Sequence, residues 1–247
     1  MKQLFILRAH VFAMLLDLLR TPAVVVFSLI FPVMFFTIMA LPYAKAGPEA
    51  ANFILCSYIA FAMVGVTLSQ FGVGIAAERG RPWERYLRAL PVTIGTRFTA
   101  RIIVALCFGA GAAGLVALAA RFFTPLSLTN AQWLLLWAYA IVGAVPFVVI
   151  GIALAYWVAP RAALPLTNIV YLLCSFAGGF WIPPQYLPSL AAAVSPFTPT
   201  RQYGELLWSI VAPHNALHAL AMLGYYTLAF GIIAAIGYRR DERTRYA

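Results

Sequence analysis

Six apolar runs, each close to the length that crosses a bilayer, constrain this chain more than any other feature. They cover roughly Pro22–Pro42, Phe53–Ala77, Ile102–Ala120, Gln132–Val158, Ala162–Ile182 and Ala216–Tyr238. About 20 apolar residues, coiled as an α-helix, match the roughly 30 Å hydrocarbon core of a membrane. Lipid offers no hydrogen-bond partner, so the backbone of such runs has to satisfy itself as helix. Composition agrees, with 64% hydrophobic and 10% charged residues. A soluble domain carries about 45–50% apolar and about 25% charged residues. The remaining polar surface is too small to cover a water-soluble globule, and no interval between the runs can fold as a separate one. The expectation is a single all-α integral membrane domain over residues 1–247 with six transmembrane helices. The first run is not a secretory leader, although Ala44-Lys45-Ala46 resembles a cleavage site. Its apolar core is too long and about twenty residues precede it.

The basic residues orient these spans. With the N-terminus inside, Lys2, Arg8, Arg20, Arg79, Arg81, Arg85, Arg88, Arg97, Arg101, Arg161, Arg239, Arg240, Arg243 and Arg245 all face the cytoplasm. Only Lys45, Arg121 and Arg201 face outward. Lys and Arg concentrate in cytoplasmic loops, so both termini are expected there. The formal charge of +10 is then a matter of topology, and a nucleic-acid partner is not called for. The three cysteines, Cys56, Cys107 and Cys174, lie apart in apolar runs and read as small buried hydrophobes.

Residues 1–21 form no span. Gln3, His10 and Asp17 recur every seven residues and so share one helical stripe. Leu4, Leu7, Val11, Leu15 and Leu18 line an apolar stripe beside it. This pattern predicts an amphipathic helix lying in the membrane interface and touching lipid.

The loop 78–97 is the most informative stretch. Pro82 suits the first position of a helix, where its missing N–H costs nothing, and Pro91 can end that helix. Between them Trp83, Tyr86, Leu87 and Leu90 share one face. Glu84 precedes Arg88 by one turn, a favourable pair. A short cytoplasmic helix with an aromatic stripe either lies on headgroups or docks in a groove of a soluble partner.

The outer segment 183–215 is the longest on its side and is not polar. Proline clusters at Pro183, Pro184, Pro188, Pro196 and Pro199 break it into two apolar stretches, Leu190–Val194 and Tyr203–Val211. Neither can span a bilayer, and broken apolar backbone at membrane depth needs protein or a water-filled cavity to cover it. Both are expected to be short helices capping the outer mouth, with Arg201 and Glu205 paired one turn apart.

The span interiors hold no Asp, Glu, Lys or Arg. Ion-coupled transporters usually place an ionisable group at depth, and a membrane hydrolase needs convergent catalytic groups. Neither pattern is present, so no catalytic residue is assigned and any energy for movement comes from elsewhere. Gly72-x-Gly74-x-x-Ala77 mimics a dinucleotide fingerprint, but it closes a membrane span with no strand before it. Close helix packing is the better reading. His214 and His218 stand one turn apart without a third ligand, so no metal is assigned. The polar positions Ser57, Thr67, Thr167, Asn168 and Ser175 are candidates for a transport pathway.

At its two loops the chain resembles the permease subunits of bacterial ABC exporters of type 2. The resemblance rests on Glu78, Arg79, Leu87, Pro91, Val92 and Thr93 in the first cytoplasmic loop. Pro183, Leu187, Pro188, Ser195 and Pro196 carry it in the outer segment. The loop departs from the usual pattern in placing Gly80 close behind Glu78 and Pro82 where glycine is common. The resemblance implies half of a dimeric pore, as homodimer or heterodimer. It also implies a separate cytoplasmic ATPase that binds ATP and Mg and grips a coupling helix through Glu78, Arg79, Trp83, Glu84, Leu87, Arg88, Leu90 and Pro91. Residues 1–21 correspond to the family's elbow helix. Short re-entrant helices gate the outer mouth near Pro183, Pro188, Pro196, Arg201 and Glu205. The expected activity is ATP-driven export of a hydrophobic or amphipathic compound, drug-like or lipid, across the bacterial cytoplasmic membrane. The competing expectation is a non-transporting anchor or assembly module, which has no need of the loop helix.

Overall fold

The computed structural model describes residues 2–79 and 94–246, and every regular element among them is a helix. Helix α1 covers Lys2–Leu19. Helix α2 runs over residues 22–44. Helix α3 is Pro48–Arg79 and α4 is Ile94–Phe123. Helices α5 (Asn130–Gly143) and α6 (Val145–Trp157) follow, then α7 (Pro160–Ala177). Two short helices, α8 (Ser189–Val194) and α9 (Pro199–Trp208), precede the terminal α10 (Ala216–Tyr246).

Four stretches are long and apolar enough to cross a membrane: Pro48–Arg79, Phe98–Phe123, Asn130–Trp157 and Ala216–Glu242. The chain is thus a multi-pass membrane protein. The other two expected spans are helical but shorter: an apolar piece of α2, Ser28–Ala44, and α7.

The prolines explain the irregularities. Helix α2 contains two π turns, Val26–Ile30 and Phe36–Ala40. Each ends two residues before a proline, Pro32 and Pro42. A proline ring clashes with the carbonyl four residues back. Those carbonyls belong to Ser28 and Ile38, inside the widened turns, which relieve the clash without breaking the rod. The expected fourth span is divided at Ala144, because Pro146 sits in the first turn of α6 and cannot continue the ladder of α5. Thr129 starts α5 with a capping box: its hydroxyl accepts from the Gln132 amide and the Gln132 side chain accepts from the Thr129 N–H.

Helix α3 lies at the centre, with Leu55, Cys56, Ile59, Phe61, Met63 and Phe71 fully buried. Apolar burial alone does not hold helices together in lipid; close backbone approach does. A Cβ on Gly151 would fall 2.7 Å from Phe71 Cβ, and one on Gly72 would fall 2.8 Å from Thr167 Oγ1. Glycine therefore seats α3 against α6 and α7, and the fingerprint-like glycines are packing residues. Two residues of the apolar stripe of α1, Leu15 and Leu18, pack against the protein core rather than lying on lipid. Phe5, Phe12 and Leu19 form a second stripe, exposed, two turns apart.

Candidate functional site

The bundle has two polar ends. At the loop end, α3 delivers Glu78 and Arg79 just before residues 80–93. Trp83, Glu84, Leu87, Arg88, Leu90 and Pro91 lie outside the described residues. Glu78 is ion-paired with Arg101 of α4. Arg101 is buried, and its Nη1 also donates to the Gln70 carbonyl at 3.0 Å. Gln70 belongs to the π turn Ser69–Val73 of α3. The guanidinium passes beside Gly74, where a Cβ would stand 2.8 Å from Arg101 Nη1.

Arg79 points the other way. Its Nη2 donates to Asp241 Oδ1 of α10 at 2.5 Å, and its Nη1 donates to the Ala155 carbonyl at the end of α6. The guanidinium carbon sits 5.1 Å from the centre of the Tyr156 ring, and Tyr156 meets Tyr238 edge to face at 5.4 Å. Next to it, Trp157 Nε1 donates to the Ile233 carbonyl at 3.0 Å. Two consecutive charged residues thus tie the exit of α3 to α4, α6 and α10. Side-chain exposures of 13% for Arg79 and 15% for Asp241 put this pair in a poorly screened setting, where removing one partner strands the other. Asp241 carried no sequence motif; its one signal was an acid among four tail arginines after a long apolar run.

At the opposite, cap end the expected Arg201–Glu205 pair is formed, with Arg201 Nε donating to Glu205 Oε1 at 2.6 Å. The other carboxylate oxygen pairs with His214 Nδ1. His214 was read from sequence only against a metal site; here it completes a three-residue cluster, and the Arg201 guanidinium carbon lies 5.5 Å from the Trp208 ring centre. The two helices of this segment differ from their expected bounds. Thr198 caps α9 by accepting from the Arg201 amide, and Pro199 occupies its first position, so the helix starts earlier than its apolar residues. Pro183 and Pro188 stand at the starts of the single-turn helix Pro184–Tyr186 and of α8. The Pro196 carbonyl accepts from Gln202 Nε2 at 3.0 Å. Gly179 has a φ of 84°, which lets the chain reverse after α7.

Helix α8 is exposed, but α9 is driven into the bundle. Trp208 is fully buried, stacks on Phe53 at 4.8 Å and donates from Nε1 to Ser57 Oγ at 2.8 Å. Tyr203 OH donates to the Ala140 carbonyl at 2.7 Å. Burial pushes that phenol above its ordinary range, so it remains a neutral donor. Among the pathway candidates, Ser57 holds Trp208 and Thr67 donates to its own helix at Met63. Thr167 and Ser175 are buried on the inner stripe of α7, their hydroxyls without a hydrogen-bond partner among the described residues. Asn168 is exposed on that helix.

The family profile described as ABC-2 type transporter matches residues 7–211. The chain belongs to the ABC-2 type transporter family. The match covers α1 from Leu7 onward, the loop at Glu78–Arg79 and the cap through α9, and stops short of Asp241. The "Putative transport permease YvfS" of Bacillus subtilis (strain 168) is 21% identical over 196 residues, covering 78% of this chain and 80% of that protein. As an ABC-2 permease, the chain is a non-enzymatic transport subunit of a family that works with an ATPase partner.

Proposed function

We propose that this chain is the permease subunit of an ATP-driven exporter. It moves a hydrophobic or amphipathic compound, drug-like or lipid, out across the bacterial cytoplasmic membrane. The observation that carries the reading is the double tie at the exit of α3. A force applied to residues 80–93 reaches α4 through Glu78–Arg101 and reaches α6 and α10 through Arg79. A separate cytoplasmic ATPase, holding ATP and Mg, supplies that force by closing against Trp83, Leu87 and Leu90. The spans rock, and the cap at Arg201 and Glu205 opens on the far side. In this reading there are six spans, α2 and α7 included, with both termini cytoplasmic, α8 and α9 as outer re-entrant helices and two permease chains per pore. The lack of acidic or basic residues inside the apolar runs supports an external energy source.

The experiment is replacement of Trp83, Leu87 and Leu90 by Ala together, in the permease co-expressed with its ATPase. Co-purification of the ATPase and substrate-stimulated ATP hydrolysis are both expected to fall at least tenfold. Unchanged values for both would leave an anchor or assembly module as the better reading.

A further inference from the structure

A second site lies away from both polar ends. Phe61, in the middle of α3 and fully buried, is ringed by aromatic side chains from three directions. Tyr171 of α7 stacks on it with ring centres 4.8 Å apart. Phe35 of α2 stacks at 5.6 Å, and Trp181, just beyond α7, meets it edge-on at 5.9 Å. Tyr58 approaches edge-on at 6.0 Å. Such arrangements suit flat apolar surfaces, because ring faces and edges offer complementary charge.

Two groups in this cluster do not fit a purely structural core. Tyr58 OH and Trp181 Nε1 are both buried and have no hydrogen-bond partner among the described residues. Tyr171 OH, by contrast, donates to the Phe61 carbonyl at 3.1 Å. A buried polar group without a partner costs about 1–3 kcal/mol, and a packed core avoids that cost by using Phe. Both orphans belong to rings that touch Phe61, and both can donate. None of the rings in the cluster carries a net charge. Phe35 and Trp181 stay partly exposed, so the cluster reaches the surface between them. Phe35 also precedes the second π turn of α2 directly, where the backbone ladder is least regular.

The geometry points to a ligand site at Phe61 for a neutral, planar compound that carries hydrogen-bond acceptors. Its apolar body lies among Phe35, Phe61 and Tyr171, and its acceptors take the Tyr58 OH and Trp181 Nε1 protons. This inference rests on the transport reading and narrows its substrate class to uncharged acceptor-bearing molecules. Access comes by displacement of Phe35 toward the π turn.

The test titrates Nile red, a neutral planar dye with a carbonyl acceptor, into the full chain in phosphatidylcholine nanodiscs, with empty nanodiscs subtracted. The variants are Tyr58→Phe, which keeps the ring and deletes the donor, and Trp181→Phe, which deletes the donor and trims the indole to a phenyl ring, with Trp133→Phe, which makes the same trim, as a distant control. The wild type is expected to bind saturably, and each donor deletion to weaken binding about fivefold. The control is expected to leave binding unchanged. Thermal unfolding, read in parallel, should stay level or rise in Tyr58→Phe, because an unpartnered buried group is removed with its ring kept. Absence of saturable binding, binding indifferent to both variants, or a fall in the melting temperature of Tyr58→Phe would each overturn the site. The ATPase takes no part in this assay. Failure here therefore leaves the loop experiment standing, and failure of the loop experiment leaves a dye site without an exporter.

Discussion

Arg79 and Asp241 stand 162 positions apart in the chain and meet at 2.5 Å, joining the exit of α3 to the tail of α10. The Ala155 carbonyl and the Tyr156 face hold the same guanidinium. Replacing Arg79 by Gln and Asp241 by Asn, singly and together, should reveal a coupling of about 1–2 kcal/mol in a thermal-unfolding cycle. Strictly additive losses would mean that the two charges do not act as a pair.

The seat of α9 depends on a missing side chain. A Cβ on Gly143 would fall 2.3 Å from the Tyr203 ring. Gly143→Ala should therefore cost about 1–3 kcal/mol through overpacking. Gly111→Ala, whose Cβ would meet nothing within 4 Å, should be neutral or stabilising by about 0.5–1 kcal/mol from helix propensity. Melting temperatures in detergent measure the contrast, which disappears if α9 does not pack there.

Ser57 sits at depth, but its hydroxyl is committed to Trp208. Ser57→Ala leaves a buried indole N–H without an acceptor and should destabilise the chain by about 1–3 kcal/mol. The double variant with Trp208→Phe should lose less than the sum of the two single changes. A Ser57→Ala protein of wild-type stability but altered substrate preference would restore Ser57 to the transport pathway.

Glu205 serves two partners, Arg201 and His214. Glu205→Gln removes the charge both of them use, while His214→Ala removes one partner. Amide hydrogen exchange in α9 should quicken roughly tenfold in the first variant, as expected for loss of charge-assisted bonds of about 1.5–3 kcal/mol. A smaller change is expected in the second. Equal exchange in both would show that the cluster does not anchor the cap.

Much of the architecture was legible because lipid imposes a simple rule on the backbone. Runs of suitable length had to be helices, and all six are helical over most of their length, although α5 and α6 divide one and residues 178–182 leave the helix at the end of another. The capping chemistry of Thr129 and Thr198 and the π turns before Pro32 and Pro42 are local effects that sequence reading passed over. The Arg201–Glu205 pair was legible because one helical turn separates its members. His214, nine positions from Glu205, was not, since a loop joins them. Arg101 was seen only as a topological charge, and nothing in its neighbours announced that it would reach back to Glu78 and Gln70.

By itself the sequence determined that the chain lives in a bilayer, that it is helical, and which segments interrupt its spans. Those properties follow from length, apolarity and proline, which act over a few turns. Only the tertiary structure decided that Glu78 and Arg79 pull on different helices, that α9 is buried while α8 is exposed, and that aromatic rings from α2, α3 and the end of α7 converge on Phe61. Such relations join residues tens to hundreds of positions apart. They arise from side-chain fit between helices, where a glycine or a single buried charge chooses among arrangements that hydrophobic pattern leaves equal.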